Sequence, residues 1–367
     1  MKQYPLVDLA AIQDELGDEL EAAVLGVVRS QRFIGGEKVA EFERAFAHYL
    51  GAADAIGVAN GTDAIELSLK ALNLAPGTEA LVPANTFIAT AEAVVAAGLV
   101  PRFVDVDARS GLIDLASCEE RLSDHTRVVI PVHLYGRMAD MDELMQFADR
   151  HSLEVIEDAA QAHGARRNGR SAGTIGRVGC FSFYPGKNLG AFGDAGAVVT
   201  GDQGLADRIR KMRDHGRQGR NNHVIVGVNS RLDPIQAAVL SVKLPHLERW
   251  NAQRRQVADW YRETLPADLV DYAPDVPEAD VHHLFPIMTR ERDALAAALV
   301  KAGIQTGIHY ERPLPLTGAF SSTRDECPTA ERRARLQLSL PMHPHLTRTD
   351  VELIASAVAA GVSTVAA

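Results

Sequence analysis

Two residue types on separate segments could do chemistry together. Lys187 closes the run Ser182-Phe183-Tyr184-Pro185-Gly186-Lys187, and Asp158 lies upstream in Glu157-Asp158-Ala159-Ala160-Gln161. A lysine amine can form a Schiff base with an aldehyde. A carboxylate facing a pyridine nitrogen keeps that ring protonated, so the ring can accept electrons from a carbanion. Pyridoxal phosphate chemistry needs both. A third element is Asn60-Gly61-Thr62-Asp63, ahead of Ile65, Leu69 and Leu72 at helical spacing. Free backbone N–H groups at Gly61 and Thr62 can hold a phosphate at the positive end of a helix. Together the three point to a pyridoxal-phosphate enzyme.

Each residue also has a plainer reading. Lys187 follows Cys180, Phe181 and Phe183 and precedes a glycine-dense stretch, Gly190 to Gly196. Desolvation there lowers an amine pKa and favours Schiff-base formation, whereas a structural turn needs no such role. Asp158 can cap a helix beginning near Ala159. Gln161 can brace a ring hydroxyl or lie on that helix, and His163 can line a substrate pocket or be structural. Asp63 with Glu66 can form a capping arrangement. Phe87, in Pro83-Ala84-Asn85-Thr86-Phe87, can stack on a flat cofactor or fill a core. His309 and Tyr310 follow a predicted strand and can reach a substrate. His282-His283 has no partner at metal-ligand spacing, so no metal site is predicted.

Other chemistries fit worse. The position six before Lys187 is Phe181 rather than glycine, so there is no phosphate-binding G-x-x-x-x-G-K loop. Neither a dinucleotide fingerprint nor G-x-S-x-G occurs. Lys plus Arg number 38 against 48 Asp plus Glu, a formal charge of −10, which disfavours general nucleic-acid binding. The three cysteines form no CxxC pair, which fits reduced thiols. No signal-peptide core and no apolar run of membrane-spanning length is present, so the expectation is a soluble, cytoplasmic protein with no membrane partner.

The elements that must position these residues follow from apolar patterning. The 367 residues, 46% of them hydrophobic, suffice for two domains. Predicted strands lie at 55–58, 80–82, 101–104, 127–132, 153–156, 179–183 and 196–200, most followed by turn residues and then helical spacing. Short buried strands alternating with helices imply an α/β fold with a mainly parallel sheet covered on both faces. Ligands in such sheets bind beyond the carboxyl ends of the strands, and Asp158 sits at one. Helices are predicted at 16–31, 39–50 and 234–258, the last interrupted at Pro245. Past about 245 prolines punctuate the chain. Short strands (285–289, 306–309) and helices (292–302, 349–358) suggest a smaller α+β domain. The predicted division is 1–245, a large cofactor-binding domain, and 246–367, a small C-terminal one.

With these residues assembled, the chain resembles the DegT/DnrJ/EryC1/StrS family of pyridoxal-phosphate-dependent sugar aminotransferases. The resemblance runs from Pro5-Leu6-Val7-Asp8-Leu9 through the motifs at 59–64, 83–87, 157–164 and 182–187. It continues through Gly227-Val228-Asn229-Ser230-Arg231-Leu232-Asp233 to Ser339-Leu340-Pro341-Met342-His343-Pro344. It implies the aspartate-aminotransferase-like fold (fold type I), with a large mainly parallel mixed sheet flanked by helices plus a smaller C-terminal α+β domain. It also implies a homodimer with shared active sites. Carried over by motif, Lys187 forms the Schiff base with the cofactor and Asp158 pairs with its ring nitrogen. Gln161 supports the ring, Phe87 stacks on it, and Gly61, Thr62 and Ser182 bind its phosphate. Asn229 reaches that phosphate from the other subunit. Tyr184, Arg231, His309 and Tyr310 face the substrate. Family members often carry Pro-Leu-His where this chain reads Pro313-Leu314-Pro315.

The context Tyr184-Pro185-Gly186-Lys187-Asn188-Leu189-Gly190 is similar to members that aminate C3 of nucleotide-linked 3-oxo sugars. Many C4 enzymes carry histidine where Tyr184 stands. The resemblance thus implies amino transfer, with glutamate as donor and pyridoxamine phosphate as the intermediate cofactor form, to a dTDP-linked 3-oxo-6-deoxyhexose. A 4-oxo sugar, a keto-cyclitol and a non-enzymatic regulatory role are the alternatives. A dehydratase of this family would carry histidine in place of Lys187.

Overall fold

The structure, a computed structural model, describes residues 2–266, 269, 277–323 and 325–365. Short apolar runs form the strands. They are β1 (Asp54–Val58), β2 (Glu79–Pro83), β3 (Val100–Val104), β4 (Thr126–Val129), β5 (Glu154–Asp158), the two-residue hairpin strands β6 (Arg166–Arg167) and β7 (Arg170–Ser171), β8 (Val178–Ser182) and β9 (Gly196–Thr200). The helices before and between them are α1 (Leu9–Ser30), α2 (Glu37–Leu50), α3 (Gly61–Leu72), α4 (Ala89–Ala96), α5 (Leu115–Arg121) and α6 (Met141–His151). Beyond β9 follow α7 (Gln203–Met212), α8 (Pro234–Lys243) and α9 (Leu247–Thr264), the last two joined by a tight turn at Leu244–His246 that carries Pro245. The remainder is β10 (Phe285–Met288), α10 (Arg292–Lys301), α11 (Pro328–Leu336), β11 (Gln337–Leu340) and α12 (Arg348–Val365).

Seven strands form one sheet in the order β1-β9-β8-β5-β4-β2-β3. Only β9 runs against its neighbours; the others all point the same way. The carboxyl ends of β1, β2, β4, β5 and β8 therefore lie along one edge. Alternation along each strand splits the core between the two faces. Leu81, Val129, Val155 and Phe181 join one cluster, while Val82, Val128, Ile156 and Cys180 join the other. A third cluster gathers Val257, Tyr261, Phe285, Leu299, Leu338 and Ile354 around the antiparallel pair β10–β11. Tyr4, from the opposite end of the chain, packs into it.

All seven predicted strands of the large sheet are present, with shifted ends. β4 stops at Val129, and β5 continues through Asp158. No helix begins at Ala159, so Asp158 caps none; its Oδ1 instead accepts from Ala160 N–H across a tight turn, at 3.1 Å. Nor do Asp63 and Glu66 cap α3. Asn60 does, in extended backbone, accepting from Asp63 N–H at 2.8 Å, while Glu66 pairs with Lys70. The predicted strand at 306–309 is reduced to one bridge between Gly307 and Ser339. Its neighbour Gln305 gives its N–H to Tyr4 at 2.9 Å, so the N-terminal segment takes hydrogen bonds that a ladder would need. Among the described residues no helix is long and apolar enough to cross a membrane.

Candidate active site

The carboxyl edge of the sheet brings the predicted residues together. From β1 the chain turns at Asn60 into α3, whose first residues are Gly61 and Thr62. The cap uses the N–H of Asp63, so those of Gly61 and Thr62 meet no acceptor among the described residues. Gly61 faces the end of β8 at close range: a Cβ on it would lie 2.6 Å from Ser182 Cβ and 3.3 Å from Ser182 Oγ. The result is a close approach of N–H groups to a hydroxyl that only glycine at 61 permits.

Asp158 ends β5, buried. Thr90, on α4, donates to its Oδ2 at 2.8 Å and is itself 3.1 Å from Thr86 Oγ1. Burial pushes the Asp158 carboxyl above its ordinary range; Thr90, Ala160 N–H and the charge of Lys187 pull it back. The preceding residue points the other way. Glu157 is fully buried and accepts from Gly173, Ile175 and Gly176 N–H and from His133 Nε2. Ala139 N–H donates to His133 Nδ1, which assigns the imidazole proton to Nε2. Asp158 thus leaves a strand whose end is anchored from behind.

Lys187 lies on the loop after β8. Tyr184 O accepts its N–H at 2.8 Å, and Ala191 N–H closes the loop on Phe183 O at 2.8 Å. The residue is half-buried. Desolvation of the ammonium draws its pKa down to about 8, against the opposing pull of Asp158. Asn188 pins the loop, donating to Asn251 Oδ1 and Val281 O at 3.0 Å each, while its Oδ1 meets His283 Nδ1 at 3.1 Å. From α8, Lys243 donates to Gly190 O at 2.7 Å and Gln236 accepts from Phe192 N–H at 2.8 Å.

Gln161 is buried beside the site. Its Oε1 accepts from Tyr135 N–H at 2.6 Å, and its Nε2 donates to Tyr310 OH at 3.2 Å. Phe87 is 54% exposed, with its ring 5.8 Å from that of Tyr310. His309 Nδ1 meets Ser339 Oγ at 2.9 Å; burial and the charge of Lys187 lower its pKa to about 4. His163 has no exposed surface. It sits 5.5 Å from each of the Phe181 and Phe183 rings, and neither ring nitrogen finds a partner of ordinary geometry. Burial, with the nearby Lys187 charge, lowers its pKa to about 3. A neutral His163 therefore backs the site rather than lining it.

Asn229 and Arg231 stand apart from this group, whereas Tyr184 joins it through its carbonyl, which accepts from Lys187 N–H. Tyr184 is exposed. Asn229 is exposed and bridges to Asp214, the residue that also accepts from Arg231 Nη1 at 2.8 Å. Ser230, between them, accepts from Ala59 N–H at 3.1 Å and fixes this segment along β1. Sequence reasoning missed Thr90, Tyr135, Asn188, Asn251 and Lys243. Only two left a local signal: Thr90 stands one helical turn beyond Thr86, and Asn188 adjoins Lys187.

The model of the DegT/DnrJ/EryC1/StrS aminotransferase family matches residues 14–359. The chain is 44% identical, over 97% of its length and 95% of the relative's, to dTDP-3-amino-3,4,6-trideoxy-alpha-D-glucose transaminase of Streptomyces venezuelae. It is 42% identical, over 97% of both chains, to a protein of Geobacillus stearothermophilus named pleiotropic regulatory protein. Among solved structures, that of S. venezuelae DesV in complex with a ketimine intermediate superposes with a TM-score of 0.93 at 43% identity, covering 98% of each chain.

Proposed function

Because this chain belongs to the DegT/DnrJ/EryC1/StrS aminotransferase family, we propose that it moves an amino group from L-glutamate to a dTDP-linked 3-oxo-6-deoxyhexose, giving a 3-amino sugar. It is a pyridoxal-phosphate-dependent sugar aminotransferase. The name of the S. venezuelae relative supports the C3 acceptor. One observation carries the reading: Lys187 lies on the loop after β8, the strand paired with β5, whose last residue is the buried carboxylate Asp158 that Thr90 holds in place.

The residues fit pyridoxal phosphate. Glycine at 61 lets the first N–H groups of α3 come close to Ser182, so these N–H groups and the hydroxyl can face one phosphate. Asp158 is a buried acid that forms no ion pair with any described residue, as a pyridinium nitrogen requires. When bound, the cofactor supplies an aldehyde carbon and a ring that accepts an electron pair. Gly61, Thr62 and Ser182 would hold the phosphate, Phe87 and Gln161 the ring, and Asp158 the ring nitrogen.

Lys187 Nζ is the amine for the aldehyde. With the cofactor bound, its free amine would take a proton at the donor's α-carbon and deliver one at the acceptor carbon. A pKa near neutrality suits an amine that must act as both base and acid. Asp158 would hold its carboxylate for the ring nitrogen. Tyr184, Arg231, His309 and Tyr310 are assigned to the substrate side, with His163 behind them. Asn229 is assigned to the phosphate of a second copy in a homodimer. The division at 245 belongs to the same reading; the core around β10–β11 supports it, while Leu314, Phe320, Cys327 and Ala330 pack into a core of the large sheet and Tyr4 into that of β10–β11.

The test is an assay of nucleotide-linked 3-oxo and 4-oxo hexoses and a keto-inositol with glutamate, with products identified by NMR. Amination at C3 of the dTDP-linked 3-oxo sugar is expected. Turnover confined to the 4-oxo sugar or the cyclitol would replace the acceptor assignment.

A further inference from the structure

Tyr135 adopts left-handed backbone, φ 65 and ψ 4, although it is a bulky residue only 1% exposed. Such a conformation costs energy and persists where the surroundings over-determine it, often at functional sites. Its contacts show what holds it there. The N–H donates to Gln161 Oε1 at 2.6 Å. The hydroxyl lies 2.8 Å from His309 O and 2.7 Å from Gln337 Oε1, and accepts from Asn85 Nδ2 at 3.1 Å. The carbonyl accepts from Leu284 N–H at 3.1 Å. Gly136 follows at φ 92, where an added Cβ would lie 2.7 Å from His283 N. Segment 281–284, whose His283 bonds Asn188, therefore lies flat against the pair.

We propose that Tyr135 is a positioning residue of the aminotransferase site. Its left-handed backbone directs an N–H at Gln161 so that the donor end of that carboxamide faces the cofactor. Its hydroxyl holds segment 309–310 beside the same face. This rests on the functional reading above. A backbone N–H can only donate, so the Gln161 oxygen must be the end turned toward Tyr135. Nε2 then faces Tyr310, gives that hydroxyl one hydrogen, and keeps a second for whatever is bound there. A donor in this place favours an unprotonated ring oxygen on the cofactor. The hydroxyl arm acts at a distance: Asn85, two residues before Phe87, and His309, one before Tyr310, meet at one oxygen.

Two variants of the holoenzyme separate the two arms. Tyr135→Phe keeps the ring and the N–H but removes the hydroxyl. The expected result is a KM for the keto sugar raised about 5- to 10-fold, the worth of one ordinary hydrogen bond. Turnover number and the pH midpoint of the bound cofactor's visible absorbance should stay near those of the wild type. Gln161→Glu leaves Tyr135 N–H an acceptor but turns a carboxylate oxygen inward. That absorbance midpoint should rise by about one pH unit or more. An unchanged KM in Tyr135→Phe, or a loss of thermal stability alone, overturns the hydroxyl arm. An unmoved midpoint in Gln161→Glu overturns the backbone arm and is readable even if Tyr135→Phe does not fold. A wild-type protein with no visible band would instead overturn the cofactor reading and this proposal with it. A band without turnover of any sugar would count against the acceptor assignment, while the Gln161 midpoint still decides the backbone arm.

Discussion

Lys187 and Asp158 act on each other through opposed costs. Burial disfavours both charges, and each charge relieves the other. For Lys187 burial wins: its pKa falls from 10.5 to about 8. An unfolded chain then binds a proton that the folded one lacks between those values. Stability of the cofactor-free protein should therefore rise with pH across that window. Denaturant midpoints should show a smaller rise in Lys187→Met than in the wild type; equal slopes would mean that the amine is not desolvated. Glu157 has the opposite character, a buried carboxylate with four donors. Glu157→Gln replaces an acceptor oxygen with a donor facing N–H groups. It should cost about 2–4 kcal/mol by chemical denaturation. Lys187, Asp158 and Gln161 were legible by type and spacing. Thr90 left only its spacing from Thr86 and Tyr135 left no signal, because their roles rest on a hydroxyl and a backbone N–H that meet Asp158 and Gln161, 68 and 26 residues along the chain.

Strand ends, more than strand positions, decide what the elements do. The apolar runs gave every strand of the large sheet, since strands buried on both faces read as continuous hydrophobic segments. What patterning could not give was where a ladder stops. β5 carries Asp158 inside its last position, so the carboxylate inherits the rigidity of the sheet rather than the looseness of a helix cap. Segment 306–309 looked like a strand, yet Tyr4, some 300 positions away in sequence, takes the hydrogen bond of Gln305. At α3 the cap and the close approach to Ser182 are one device. Asn60→Ala should lose about 1 kcal/mol of stability. Gly61→Ala would put a Cβ 2.6 Å from Ser182 Cβ. It should weaken cofactor binding by more than about 10-fold while leaving the circular dichroism spectrum unchanged. Equal cofactor affinity, measured by fluorescence quenching, would remove the phosphate from this site.

On the scale of the whole molecule, strand direction makes the convergence possible. Residues from 61 to 187 meet because β1, β2, β4, β5 and β8 end on one edge. The class of fold was legible in the alternation of strands and helices; the reversal of β9 was not, because a five-residue buried run reads alike in both directions. Asn229, exposed, and Arg231, half-buried, flank Ser230, which holds this segment to the end of β1. Shared sites predict complementation. Mixing Lys187→Ala with Asn229→Ala subunits should restore about a quarter of wild-type activity, since half the dimers then hold one intact site. No recovery after verified subunit exchange would assign Asn229 to its own chain.

The most direct measurement is borohydride reduction of the holoenzyme followed by peptide mapping. The yellow protein should bleach, and the phosphopyridoxyl group should be recovered on Lys187 alone. Recovery on any other lysine, or a protein that reconstitutes no colour with pyridoxal phosphate, would contradict the account.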